Sequence, residues 1–158
     1  MLDLYEELVQ QTKAFDQAEI PYALVGGIGF SLYVHPRATE DMDFLIYPDD
    51  WERVKLALEP LGWLSLAGPL DFKTISIRRL TKLAGEDVMV ADFLLADKET
   101  IPGLQKYESL SYQGQALRLA PPEVIIALKL RRNAPKDQED IRLLKILVEK
   151  RNSDPGPA

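Results

Sequence analysis

The chain has 158 residues, of which 46% are hydrophobic and 28% are charged, and it contains one histidine and no cysteine. This composition predicts one folded domain, and it excludes disulfides, cysteine-based zinc sites and histidine-rich metal sites. A net charge of -6 has the wrong sign for a protein that coats nucleic acid.

The sequence lacks the patterns that direct a chain to or through a membrane. It opens with MLDLYEELVQ, in which no basic segment precedes an apolar run. No stretch approaches the roughly 20 apolar residues of a membrane span. We therefore expect a cytoplasmic protein that makes no membrane contact.

Hydrophobic periodicity, together with proline and glycine breakers, divides the chain into helices and strands. Helices are predicted at 2–18, between Gly27 and Pro36, between Asp50 and Pro60, at 122–132 and at 137–150. Strands are predicted at 22–25, around Asp41 and Asp43, and at 63–66, 72–80, 87–95, 108–112 and 115–120. The intervening segments predict loops, including 97–106 and a hairpin connection at 81–86.

Asp41 and Asp43 lie two residues apart on the second predicted strand. Strand side chains alternate between faces, so the two carboxylates point to one face while Met42 and Phe44 point to the other. Two carboxylates about 4 Å apart repel by about 1 kcal/mol in water and by about 4 kcal/mol at an effective dielectric constant near 20. A Mg²⁺ ion removes this repulsion, and it prefers oxygen ligands that include substrate phosphates. The pair therefore predicts a metal site for phosphate chemistry.

A third acidic residue, Asp92, interrupts an apolar row on a later predicted strand. Val88, Val90 and Asp92 share one face because strand side chains repeat every two residues. An aspartate in such a row either belongs to the same site as the other two carboxylates or is a satisfied surface residue.

The order of these features resembles a known signature. A strand ending in Gly26-Gly27 is followed by a short helix and then by the pattern R-x-T-x-D-x-D, which is formed by Arg37, Thr39, Asp41 and Asp43. This arrangement resembles the nucleotidyltransferase superfamily, which has the DNA polymerase beta-like fold. The later run LKLRRNAPKDQEDIRLL resembles the helical signature of its minimal bacterial branch, which includes the AbiEii-type abortive-infection toxins of type IV toxin–antitoxin systems.

The resemblance implies an α/β, or α+β, minimal nucleotidyltransferase fold in a single domain over 1–150, followed by a disordered tail at 151–158. Its mixed twisted sheet would be built from the segments near 22, 41, 63, 72, 88 and 109, with flanking helices. Gly29 stands where relatives commonly have alanine, which predicts a short helix less rigid by roughly 0.5 to 1 kcal/mol.

The resemblance also implies a reaction, the Mg²⁺-dependent transfer of a nucleoside monophosphate from a nucleoside triphosphate (NTP) to a hydroxyl group with release of pyrophosphate. The catalytic carboxylates and metal ligands would be Asp41, Asp43 and Asp92, with Asp92 acting as a ligand or as the base that activates the hydroxyl. The nucleotide-binding residues would be Gly26, Gly27, Arg37, Thr39 and Lys129.

Three classes of acceptor remain open. They are the 3' end of a tRNA, a small antibiotic-like alcohol as in aminoglycoside and lincosamide nucleotidyltransferases, and a protein side chain. The toxin resemblance adds an antitoxin protein as a candidate partner. A catalytically silent nucleotide-binding or regulatory module is the alternative to an enzyme.

The basic residues also allow two interpretations. Two clusters of basic residues are candidate contacts for nucleic acid. The first consists of Arg78, Arg79 and Lys82, and the second consists of Lys129, Arg131, Arg132 and Lys136. Lys129 either meets the triphosphate or is a solvated helix residue. A salt-bridged helix junction is predicted from Arg132, Lys136, Asp137 and Asp140.

Overall fold

The computed structural model describes residues 1–36, 39 and 41–153. Within these residues the helices are α1 (Leu4–Gln17), α2 (Gly26–Tyr33), α3 (Trp51–Leu58), α4 (Pro102–Gln105), α5 (Pro122–Arg132) and α6 (Gln138–Ser153). The strands are β1 (Ala23–Val25), β2 (Asp41–Ile46), β3 (Trp63–Leu64), β4 (Leu70–Asp71), β5 (Ser76–Ala84), β6 (Asp87–Leu95), β7 (Glu108–Tyr112) and β8 (Gln115–Leu119). The predicted nucleotide-binding residue Arg37 and the predicted tail from 154 onward lie outside the described residues.

The eight strands of the described chain belong to one mixed sheet. Their order is β3-β5-β6-β2-β1-β8-β7, and β4 pairs with β5 beside β3. β2 runs parallel to β6 and β1 runs parallel to β8, whereas the other neighbours are antiparallel. The predicted mixed sheet with flanking helices is confirmed.

The first helix shows how the sequence fixes an element and its packing. The Asp3 carboxylate accepts a hydrogen bond from the Glu6 amide at 2.9 Å and so satisfies one of the free amides at the start of α1. Phe15 is fully buried and meets the rings of Phe44 and Phe93 edge to face. These ring contacts place α1 on the same face of the sheet as Phe44 and Phe93.

A second core lies on the opposite face of the sheet, beneath α5 and α6. Leu45 and Leu94 are buried there against Ile125 of α5 and Leu144 of α6. Side chains two residues apart on a strand point the same way. Asp43 and Asp92 therefore face α5, in the layer that contains Leu45 and Leu94.

Several predicted boundaries are wrong because packing decides them. The connection predicted at 81–86 contains only the turn Gly85–Glu86, since β5 continues to Ala84 and pairs with β6 from Ile77 to Ala84. Residues 72–75, predicted as strand, form the loop that leads into β5. The loop predicted at 97–106 includes α4, and α6 ends at Ser153 rather than at Lys150.

Gly29 has a packing role that the sequence did not reveal. A Cβ atom at this position would lie 2.8 Å from Cδ1 of Ile125. The glycine therefore lets α2 approach α5 more closely than an alanine would. None of the helices in the described part of the chain is long and apolar enough to cross a bilayer.

Candidate functional site

Three neighbouring strands place Arg79, Asp92 and Asp43 side by side. The parallel pairing of β2 and β6 sets Asp43 opposite Asp92, and the antiparallel pairing of β5 and β6 sets Arg79 opposite Asp92. β1 completes this row, because Val25, its last residue, lies opposite Asp43. The two predicted carboxylates, more than forty positions apart in the sequence, are thus neighbours in the sheet.

The side chains of β2 alternate as predicted around Asp43. Met42 and Phe44 are fully buried, Asp41 is exposed, and Asp43 keeps only part of its surface accessible. Just before the strand, the Thr39 hydroxyl donates a hydrogen bond to the backbone carbonyl of Asp41 at 3.3 Å. Thr39 therefore supports the start of the acidic strand.

Burial of Asp43 raises its pKa to about 7, and the neighbouring charge of Asp92 adds to the effect. Arg132 and Lys129 act in the opposite direction, and Asp41 raises the pKa further. The ionised form of Asp43 therefore lacks sufficient positive charge around it. A cation beside Asp43 would supply that charge.

Asp92 has its own cationic partner. Nε of Arg79 donates to Oδ1 of Asp92 at 2.8 Å, and Nη2 of Arg79 donates to Oδ2 at 3.0 Å. This is a two-pronged contact between a planar guanidinium and a carboxylate, and it raises the pKa of Arg79. We call the neighbouring carboxylates Asp43 and Asp92 the acidic row. Asp92 is therefore both a member of this row and a buried residue whose charge is satisfied by Arg79.

The turn between β1 and α2 brings the backbone of Gly26 close to the Asp43 side chain. Gly26 has a φ of +64°, and a Cβ atom there would lie 2.0 Å from Oδ2 of Asp43. Val25, the residue before α2, provides no side-chain cap, so the amides at the helix start have no side-chain acceptor there. Free amides at a helix start suit an anion such as a phosphate. Gly26 and Gly27, to which the resemblance assigns a nucleotide-binding role, are the first two residues of α2.

A pocket of about 400 Å³ opens beside the acidic row. Its polar walls include Gly26, Asp43, Asp92 and, from α5, Lys129 and Arg132. Its apolar wall is formed by the sheet, the loop at 72–75 and α5. The residues of this wall are Val25, Phe72, Ile75, Ile77, Leu94, Ile125 and Leu128. The loop at 72–75 was assigned to a strand, so the sequence did not identify it as part of the site.

The pocket brings together four of the predicted site residues, Gly26, Asp43, Asp92 and Lys129. Gly27, Thr39 and Asp41 lie nearby in sequence but do not line its wall. The sequence identifies Arg79 and Arg132 only as basic surface or junction residues. The contact of Arg79 with Asp92 and the charge effect of Arg132 on Asp43 place both of them at the site.

Lys129 is buried in an ionic cluster between α5 and α6. Its Nζ lies 3.4 Å from Oδ1 of Asp137 and 3.2 Å from Oδ2 of Asp140, and all three side chains are almost inaccessible. Arg132 also donates to Asp137, from Nε at 2.7 Å. The predicted junction is confirmed for Arg132, Asp137 and Asp140, whereas a solvated Lys129 is wrong.

Replacing Lys129 with methionine is expected to destabilise the protein by about 3 kcal/mol, because Asp137 and Asp140 would keep buried charges with one cation fewer. Urea unfolding near neutral pH measures this loss. Lys145→Met, at an exposed position of α6, is the matched control and should change stability by less than about 0.5 kcal/mol. Equal losses in the two variants would mean that the buried cluster contributes no specific stability.

The donor set fits a Mg²⁺ ion held by two carboxylates. Such an ion is usually bound through one or two carboxylates together with substrate phosphates. The resemblance assigns that pair to Asp41 and Asp43, and a cation beside Asp43 would offset the burial and the Asp92 charge that raise its pKa. Among residues 1–36, 39 and 41–153, no three His, Cys, Asp or Glu side chains converge to hold a metal.

Three solved structures resemble this chain over most of its length. ANT(2'')-Ia in complex with adenylyl-2''-tobramycin matches with a TM-score of 0.59 and 14% identity, covering 90% of this chain and 88% of that one. Lincomycin-bound LnuA, a lincosamide antibiotic adenylyltransferase, matches with a TM-score of 0.60 and 16% identity, covering 89% and 95%. The Thermotoga maritima protein TM1012, whose nucleotidyltransferase activity is itself a prediction, matches with a TM-score of 0.61 and 14% identity, covering 94% and 96%.

Sequence comparisons add no relative to these structures. No protein-family model matches the chain, and no curated protein matches it. At such low identities the structural likeness establishes the fold alone. The mixed sheet and its flanking helices are consistent with the minimal nucleotidyltransferase fold.

Proposed function

We propose, on the basis of this fold and the acidic row, that the protein is a Mg²⁺-dependent nucleotidyltransferase. It transfers a nucleoside monophosphate from an NTP to a hydroxyl group and releases pyrophosphate. The observation that carries the proposal is the pairing of Asp43 with Asp92 beside the uncapped start of α2. This arrangement combines carboxylates for a cation with amides for phosphate oxygens.

Each residue of the site has a role in this reaction. Asp41 and Asp43 would hold Mg²⁺, which stabilises the negative charge of the reacting phosphates. The first amides of α2, at Gly26 and Gly27, would donate to phosphate oxygens. Since phosphate transfer depends on positioning and charge stabilisation, the β1–α2 turn would contribute to the rate by placing these amides.

Within the acidic row, Asp92 would receive the acceptor hydroxyl, because Asp43 is assigned to Mg²⁺. Arg79 occupies one lone pair on each of its oxygens, and a carboxylate oxygen has a second one. Asp92 can therefore orient the hydroxyl and accept its hydrogen. Lys129 lies at the pocket wall and would contact the triphosphate there, although Asp137 and Asp140 already balance its charge.

The apolar half of the pocket favours a small organic acceptor over tRNA. Arg131 pairs with Asp97 and Glu99, and Arg132 pairs with Asp137, so these cations are already neutralised. ANT(2'')-Ia and LnuA were each solved with an antibiotic or its adenylylated form. A tRNA acceptor, a toxin role and an antitoxin partner rest on the sequence resemblance alone.

A transfer assay tests this function. Purified protein is incubated with Mg²⁺, each of four NTPs labelled on the α-phosphate, and separately tobramycin, lincomycin or total bacterial tRNA. We expect the wild type to move label to an acceptor, and a variant carrying both Asp41→Asn and Asp43→Asn to move none. Mg²⁺-dependent NTP binding without transfer would favour the silent module, and the absence of both would contradict the proposal.

A further inference from the structure

We propose that Arg79 takes the place of a second divalent cation in this site, so that the chain binds one metal ion, through Asp41 and Asp43. The inference rests on the proposed function, because it concerns the same carboxylates. It departs from the three-carboxylate metal site that the resemblance implies, in which Asp92 is also a ligand, and it assigns a charge-neutralising role to Arg79.

The contact between Arg79 and Asp92 opposes the binding of a metal ion at Asp92. Both carboxylate oxygens accept a hydrogen bond from the guanidinium, at 2.8 and 3.0 Å. The Asp92 side chain is only 12% exposed, whereas that of Arg79 is 39% exposed. A hard cation at Asp92 would therefore meet a carboxylate whose charge is already balanced, and it would lie beside the positive guanidinium of Arg79.

The strand register makes this contact a built feature of the sheet. Arg79 and Asp92 are direct partners in the ladder between β5 and β6, which is paired on both sides of them. Neither backbone can shift without breaking the neighbouring pairs. Arg79 could leave Asp92 only by changing its side-chain conformation, and its two charge-assisted hydrogen bonds oppose that change.

The other basic residues near Arg79 point elsewhere. Arg78 pairs with Asp71 at 2.8 Å, and Lys82 pairs with Glu7 of α1 at 2.8 Å. The cluster that looks basic in the sequence is therefore split among three different partners. Within the described chain, Arg79 is the member of that cluster that faces the carboxylates.

Arg79 also has donors left for a substrate. A guanidinium carries five N–H groups, and Asp92 accepts two of them. Asp41 and Asp43 lie close enough to act electrostatically on Arg79. The remaining N–H groups can donate to phosphate oxygens, which gives Arg79 the charge-neutralising role of the second ion.

Counting bound Mn²⁺ ions tests this inference without an activity measurement. Mn²⁺ alone is titrated into the metal-free protein, and free Mn²⁺ is followed by electron paramagnetic resonance. We expect one bound ion for the wild type and two for Arg79→Gln, because the substitution frees Asp92. Arg78→Gln, on the neighbouring residue that pairs with Asp71, is the matched control and should bind one ion.

A second variant keeps the test valid if Arg79→Gln fails to fold, which circular dichroism would show. Asp92→Asn should still bind one ion, with an affinity within a few-fold of the wild type. Two ions in the wild type, one ion in a folded Arg79→Gln, or loss of the ion in Asp92→Asn would each overturn the inference. A wild type that transfers nucleotide but binds two ions would contradict this inference alone, whereas one that binds no ion and transfers nothing would also contradict the proposed function.

Discussion

Replacing Asp43 with asparagine is expected to abolish nucleotide transfer and, in the metal-free protein, to raise stability. Burial and Asp92 raise the pKa of Asp43 to about 7 in the folded chain, from an ordinary value of 3.8. Because the pKa is higher in the folded chain, the protonated carboxyl group contributes its full stability at a pH below the pKa of the unfolded chain. This contribution is lost as the pH rises through about 7. Asparagine has the same shape and no charge, so the variant avoids this loss.

The stability effect should appear only where Asp43 ionises. At about pH 8 we expect the free energy of unfolding to rise by about 1 to 2 kcal/mol, less than the full shift implies because the side chain keeps some solvent contact. At about pH 4 the wild type and the variant should unfold at nearly the same urea concentration. Asp41→Asn, at an exposed position, should lose transfer without this gain. Wild-type transfer by Asp43→Asn would remove Asp43 from the metal site.

Replacing Gly26 with alanine is expected to reduce transfer by at least about 100-fold, because misplacing a catalytic group by about 1 Å costs roughly that factor. The new Cβ would lie 2.0 Å from Oδ2 of Asp43, so the carboxylate has to move. The left-handed backbone at φ +64° adds a stability loss of about 1 to 2 kcal/mol. Initial transfer rates and urea unfolding measure the two effects.

Gly85→Ala separates the backbone effect from the collision. Gly85 has a φ of +61° at the tip of the β5–β6 hairpin, and a Cβ atom there would meet nothing within 4 Å. This variant should lose similar stability and keep its transfer rate. If both alanine variants retain transfer, the close approach of Gly26 to Asp43 has no catalytic importance.

Local features of the fold could be predicted from the sequence because they depend on neighbouring residues. Alternation along β2 follows from the two-residue period and correctly separates Asp43 from the buried Met42 and Phe44. The start of α5 follows from Pro121 and Pro122, since proline is favoured in the first turn of a helix. In each case the evidence lies within a few positions of the feature.

The partner of Asp92 could not be predicted while the hairpin boundary was wrong. With the connection at 81–86, the register of β5 against β6 was undefined. The two-residue turn Gly85–Glu86 pairs Ala84 with Asp87. Moving away from the turn along both strands, one residue at a time, then reaches the pair Arg79 and Asp92. A glycine-containing two-residue turn was therefore the signal that would have revealed the ion pair.

The surroundings of Lys129 depend on contacts that no sequence period reports. Its acidic partners lie on the next helix and on the turn before it, and only the packing of α5 against α6 buries all three. The sequence could list the residues of this cluster but not their pairing. The triphosphate role of Lys129 stays a prediction.

The pairing of β1 with β8 has a consequence for how the chain reaches its folded state. Leu24 lies beside Leu119, and the amide of Ala120 donates to the carbonyl of Leu24 at 3.0 Å. Such distant pairing gives a high contact order, which is typical of folding over milliseconds to seconds rather than microseconds. During synthesis, the strand that leads into Gly26 keeps an open edge until the ribosome has released β8. A nascent chain that ends before α5 contains all three carboxylates but lacks the part of the pocket wall that α5 provides.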